Sequence, residues 1–130
     1  MKLLYIHNKI VPPASRITIL IRTGIFMTYR DIYSSFNNDI KILEYRAKTD
    51  KKIEDLLPVL KTKLGYYEKE MREMDILEKT EEGLNRYMTT DYQRIISELR
   101  RKVIYRLNVL VKLASEIEAI FTEAENKSSF

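Results

Sequence analysis

The chain has 130 residues, 45% hydrophobic and 32% charged, with three Gly, three Pro and no Cys. One soluble helical domain fits that balance, a β sandwich or barrel lacks its turn residues, and disulfides and thiolate metal sites are excluded. The net charge of +4 sits in residues 1–26, where Lys2, Lys9, Arg16 and Arg22 stand without an acid. The remainder is balanced, so the body is not a generally basic, nucleic-acid-like domain.

Residues 1–26 read in two equal ways. Leu3–Ile6 and Arg16–Ile21 form two short strands joined through Pro12-Pro13, or the segment is a poorly ordered extension with Met27 as the natural start. His7, the only histidine, reads as an ordinary surface or strand residue, because nothing near it is arranged for a metal or a general base. The longest apolar run, Ile17–Ile21, is interrupted by Thr18 and closed by Arg22. A membrane helix needs roughly 20 such residues. A secretory leader is not expected either, for want of a continuous apolar centre.

A first helix is predicted from Thr28 to about residues 46–49. Thr28 with Asp31 resembles a capping box, and Tyr29, Ile32, Tyr33, Phe36, Ile40 and Leu43 share one face. Lys48-Thr49-Asp50-Lys51 is turn-like, and Asp50 can cap the next helix. Pro58 then predicts a break, because an interior proline removes an amide and clashes with the preceding turn. The expectation is a short helix over 50–56 and a long one over 58–79, with Leu60, Leu64, Tyr67, Met71, Met74 and Leu77 on its buried face. Gly65 suggests close packing at that point, and Glu68–Arg72 an i,i+4 ion pair. Lys79–Gly83 ends this helix, and Leu84–Met88 forms a short turn of helix or a linker.

Thr89-Thr90-Asp91 caps a final helix running to about Glu123 without Pro or Gly. Tyr92, Ile96, Leu99, Val103, Leu107, Leu110, Ala114, Ile117 and Phe121 draw an apolar stripe along it. Such a helix is roughly 45–50 Å long. That is more than a small domain needs to bury one helix, so the stripe is expected to continue onto another subunit. The fold class expected is all-α: an elongated bundle of about four helices with a long C-terminal helix, in a domain spanning 27–130, preceded by a β-prone or disordered segment over 1–26.

No phosphate loop, dinucleotide fingerprint, nucleophile elbow or His-Glu-x-x-His motif is present, so no catalytic, cofactor or metal residue is assigned and catalysis is not expected. Glu68, Glu70 and Glu73 lie among Lys69 and Arg72 and read as a solvated face. The candidate protein interface is Tyr92, Ile96, Leu99, Val103, Leu107 and Leu110, rimmed by Arg101 and Arg106. Intramolecular core packing is the plain alternative for each of these residues. A nucleic-acid interface would use Lys2, Lys9, Arg16, Arg22 and Arg94, the last in a row with Arg101 and Arg106 that could track phosphates. The nine tyrosines, among them Tyr66, Tyr67, Tyr87, Tyr92 and Tyr105, suit either an interface or a core with wet edges.

Two runs carry a family likeness: Met27-Thr28-Tyr29-Arg30-Asp31-Ile32-Tyr33 opening the first helix, and the Arg/Lys-rich aliphatic stretch from Ile95 through Arg100-Arg101-Lys102 to Leu113-Ala114. Over about residues 27–121 the chain resembles the helical A domain of archaeal GINS subunits. The Leu-Pro-x-x-Phe-Tyr stretch usual in those subunits has no match at that spacing, since Leu57-Pro58 and Tyr66-Tyr67 lie too far apart. No counterpart of their small β-rich B domain is evident after residue 121. The resemblance implies a non-enzymatic scaffold, intracellular and nucleoid-associated, with sister GINS-like subunits, an MCM helicase and a RecJ-like protein as partners and no cofactor. The rival expectation is a nucleic-acid-binding or polymerase-accessory protein. A homodimeric helical regulator would share the interface but not the partner.

Overall fold

A computed structural model of the chain describes residues 18–20, 26–84 and 92–127. Two short strands, β1 (Thr18–Leu20) and β2 (Phe26–Thr28), pair antiparallel with Ile19 opposite Met27. The partner of β1 is therefore the segment that leads into the first helix. The strand expected at Leu3–Ile6 lies outside the described residues. β2 also reaches across residue 26, the boundary that composition suggested.

α1 (Tyr29–Arg46) begins where the sequence predicts. Thr28 is extended, with φ −68° and ψ 160°, and its hydroxyl oxygen accepts a hydrogen bond from the Asp31 amide at 3.2 Å. That satisfies one of the amides left free at a helix start. Asp31 in the first turn and Arg46 in the last suit the helix dipole. After a turn over 47–49, the Asp50 carboxylate accepts from the Lys52 amide at 3.0 Å and caps α2 (Lys51–Leu84).

α2 runs unbroken through Pro58, so the described residues hold three helices where about four were expected. The lost amide falls on the wet side, where Pro58 and Glu54 are both exposed. Ile53 and Leu60, on either side of the proline, are fully buried in the same core. Tertiary burial thus overrides a local helix-breaking signal. The helix also continues past Lys79 to Leu84, although Glu81 and Glu82 oppose the dipole there and no basic residue stands in its last turn. Gly65 faces open space: a β-carbon at that position would have no neighbour within 4 Å, so the close approach expected there does not occur.

α3 (Tyr92–Lys127) is the long C-terminal helix that was expected. Its capping segment Thr89–Asp91 and the stretch Leu84–Met88, apart from the backbone of Leu84, lie outside the described residues. Cross-helix ion pairs fix the directions. Glu44 meets Lys61 at 3.0 Å while Arg30 meets Asp75, and Lys63 meets Glu116 at 2.8 Å while Arg106 meets Glu70 at 2.9 Å. Numbers rise along one helix as they fall along its neighbour, so α1, α2 and α3 run up, down and up.

The core lies between all three helices. α1 supplies Tyr29, Ile32, Phe36, Ile40 and Leu43; α2 supplies Ile53, Leu60, Leu64, Tyr67 and Met74; α3 supplies Val103 to Ala124 at helical spacing. Phe36 joins the layers, its ring 6.0 Å from Tyr67 edge-on and 5.8 Å from Phe121. The Tyr67 hydroxyl donates to the Tyr29 carbonyl oxygen at 2.8 Å, and the Tyr29 hydroxyl donates to Glu78 at 2.5 Å. Burial is the main cause that pushes both hydroxyls above the ordinary tyrosine value; for Tyr29 the bond to Glu78 adds to it. These tyrosines act as neutral donors that pin the start of α1 to α2.

Candidate docking surface

The apolar stripe of α3 is enclosed by the chain itself. Leu107, Leu110, Ala114 and Ile117 have no exposed surface, and Ile96, Leu99, Val103 and Phe121 are buried too. This overturns the expectation that Ile96, Leu99, Val103, Leu107 and Leu110 form a contact with another subunit. The physical reason is length. An α-helix rises about 1.5 Å per residue, so α2 with 34 residues is nearly as long as α3 with 36 and can cover it end to end. Tyr92 opens α3, but its side chain lies outside the described residues, as do Lys2, Lys9, Arg16 and Arg22.

The charged candidates divide. Arg106 donates two hydrogen bonds to the Glu70 carboxylate, at 2.9 and 3.1 Å, and that contact holds its guanidinium above the ordinary arginine value. Arg94 lies 3.6 Å from Glu98, one turn along on the same helix. Two members of the expected phosphate-tracking row are therefore engaged within the chain. Arg101 is exposed and has no ion-pair partner among the described residues, and neither has its neighbour Lys102.

Arg101 and Lys102 belong to a second stripe, turned away from the core. Glu98, Arg101, Lys102, Tyr105 and Arg106 recur by three or four on α3, and Glu73, Ile76 and Leu77 do so on α2. Together they line a groove of about 670 Å³ along the α2–α3 seam. No α1 residue lines it, because α1 packs on the other side of that seam through Arg30, Glu44 and their partners on α2. The Arg106–Glu70 pair spans the seam at one end of the groove. Its apolar lining is Leu77, half-buried, Ile76, 58% exposed, and Tyr105, 64% exposed, among charged side chains. Single exposed apolar side chains are common on any protein. Two large ones facing one groove from different helices form a short contiguous apolar strip, the kind of contact that a helix lying in a groove covers.

Arg101, Arg106 and Tyr105 stand out in the sequence, but Ile76 and Leu77 do not stand out as their neighbours. Leu77 fits the core face of its helix, and Ile76 has no partner visible in one dimension. The signal that could have found them is the second i, i+3, i+4 pattern on each helix, which emerges only once the core stripe is set aside. Among the described residues no group of three or more His, Asp or Glu side chains could hold a metal ion, and no helix is long and apolar enough to cross a membrane. The chain matches no family model, no curated protein and no solved structure.

Proposed function

We propose that the chain is a non-enzymatic docking subunit that joins a larger assembly by helix packing in the α2–α3 groove. The observation that supports this reading is the pairing of exposed Ile76 and Tyr105, from different helices, in one groove beside Arg101 and Lys102, which have no ion-pair partner among the described residues. Covering the two side chains would recover part of the roughly 1.5–3 kcal/mol that full burial of a large apolar side chain supplies. The contact surface differs from the one expected from sequence, because the α3 stripe is spent on the chain's own core.

A DNA-replication complex is the setting implied by the resemblance to GINS A domains, with sister subunits, an MCM helicase and a RecJ-like protein as partners inside the cell. Its support is the likeness of the two sequence runs, around residues 27–33 and 95–114. Native mass spectrometry on the full chain isolated from its own cells tests both parts. The expected result is a stoichiometric complex, lost in an Ile76→Glu, Tyr105→Glu variant whose thermal melting is unchanged. Recovery of the 15.5 kDa chain alone overturns the docking reading. A complex that contains none of the replication proteins overturns the setting and leaves the docking intact.

A further inference from the structure

We infer that the occupant of the α2–α3 groove is a short, acidic, amphipathic helix of a partner protein, lying along the seam as a fourth helix. This deepens the docking reading and rests on it. Three observations select this occupant.

The first is the shape of the site. Two helices side by side present a trough at the spacing that accepts a third, and the lining recurs by three and four on both walls. Ile76, Leu77 and Tyr105 supply the apolar contact that such a helix would cover.

The second is charge. On the α3 wall Arg101 and Lys102 are exposed and without acidic partners among the described residues, while Arg106 and Glu98 are already engaged with Glu70 and Arg94. The cations left over are met by Asp or Glu on one flank of the incoming helix. The α2 wall carries Glu73, which has no ion pair of its own among the described residues. An acidic flank turned that way would be repelled, so the arrangement also sets which way round the partner lies.

The third is size. From Glu98 to Arg106 the lining spans little more than two turns of α3, roughly 12 Å in length. A strip that long and one helix diameter wide covers on the order of 120–150 Å², against about 800 Å² per partner in a stable complex of two folded proteins. A second copy of this chain would need a broader face. A brief helical segment that brings its own apolar stripe needs no more than the trough, and it binds weakly and in a salt-dependent way.

The test titrates the full chain, followed by its backbone amide NMR signals, with two synthetic peptides of about four helical turns. Both carry the same leucine stripe; one has Glu along a flank and the other has Lys. The expected result is perturbation centred on Ile76, Leu77 and Tyr105, with the Glu peptide binding about tenfold more tightly than the Lys peptide, as two rim charges can supply. The preference should reverse in an Arg101→Glu, Lys102→Glu variant, whose rim then favours the Lys peptide, and Ile76→Glu should abolish binding of both. Equal binding of the two peptides, or perturbation elsewhere, overturns the inference. A short DNA duplex that takes the same residues more tightly than the Glu peptide overturns it in favour of a nucleic acid. Concentration-dependent self-association through them overturns it in favour of a second copy. A native complex that is lost on changing Ile76 and Tyr105 but survives the Arg101→Glu, Lys102→Glu change keeps the docking reading and removes the acidic helix.

Discussion

Along α3 two stripes lie side by side and have opposite fates. The stripe from Ile96 to Phe121 is long, aliphatic and enclosed by the chain's own helices. The stripe from Glu98 to Arg106 is short, mostly charged and left open, yet it faces Ile76 and Leu77 across the α2–α3 seam. The longer stripe looks more like an interface in one dimension. In three dimensions it is the core, and the shorter one is what remains for a partner. Extent of apolar character therefore measures the need for burial and says nothing about which chain meets it.

The largest effect that tests this contrast is on the enclosed side. Replacing Leu107 and Leu110 together by Asp puts two carboxylates into fully buried positions. The cost exceeds the typical stability of a domain, about 5–15 kcal/mol, once their desolvation is counted. Loss of helical circular dichroism is expected; a variant that stayed folded and merely failed to assemble would restore the stripe as an intersubunit contact. Leu107→Ala alone is expected to cost about 2–5 kcal/mol, read from denaturant midpoints.

A smaller loss is expected at Tyr67→Phe. The ring keeps its place beside Tyr33 and Phe36, and the bond to the Tyr29 carbonyl is removed. About 1 kcal/mol is the expected cost, with the helical signal unchanged. Ile76→Glu with Tyr105→Glu should shift stability by no more than about 0.5 kcal/mol, as exposed substitutions do. A large destabilisation there would mean that the outer stripe is core as well, and the contrast between the two would collapse.

The smallest effect is one of pH. Burial near the end of α2 holds the Glu81 carboxyl above the usual carboxylate range, with Arg100 pulling the other way. A carboxyl whose folded-state pKa is raised contributes fully only below its unfolded value, about 4.3, and that contribution is lost as pH rises through the folded value. Glu81→Gln should therefore give a slight rise in melting temperature at neutral pH. The difference should disappear in acid, where the native side chain is protonated in both states. A rise of equal size at every pH would assign the effect to packing instead.

Much of the fold was legible because its causes are local. The Thr28 cap, the Asp50 cap and most of each helix's buried face follow from residue type and spacing and are present where expected, with Tyr33, Met71 and Leu77 only partly buried. Pro58 misled because its effect depends on what lies either side of it. With Ile53 and Leu60 both buried against the same neighbours, a break would expose more than the lost amide costs. The docking surface was only half legible. Arg101 and Tyr105 could be picked out as off-stripe residues on α3, but their counterparts on α2 are separated from them by a long stretch of chain.

By itself the sequence determined that the body is helical, where two helices start and most of the side chains that leave water, since these follow from hydrogen bonding and hydrophobic periodicity within a few turns; it did not determine that α2 continues through Pro58 and on to Leu84. Only the tertiary structure decided that α2 covers the long stripe of α3, that Arg106 is taken by Glu70 and that Arg101 and Lys102 have no ion-pair partner among the described residues. Coverage and charge pairing are relations between helices, and a helix carries on its own surface no record of which neighbour will lie against it.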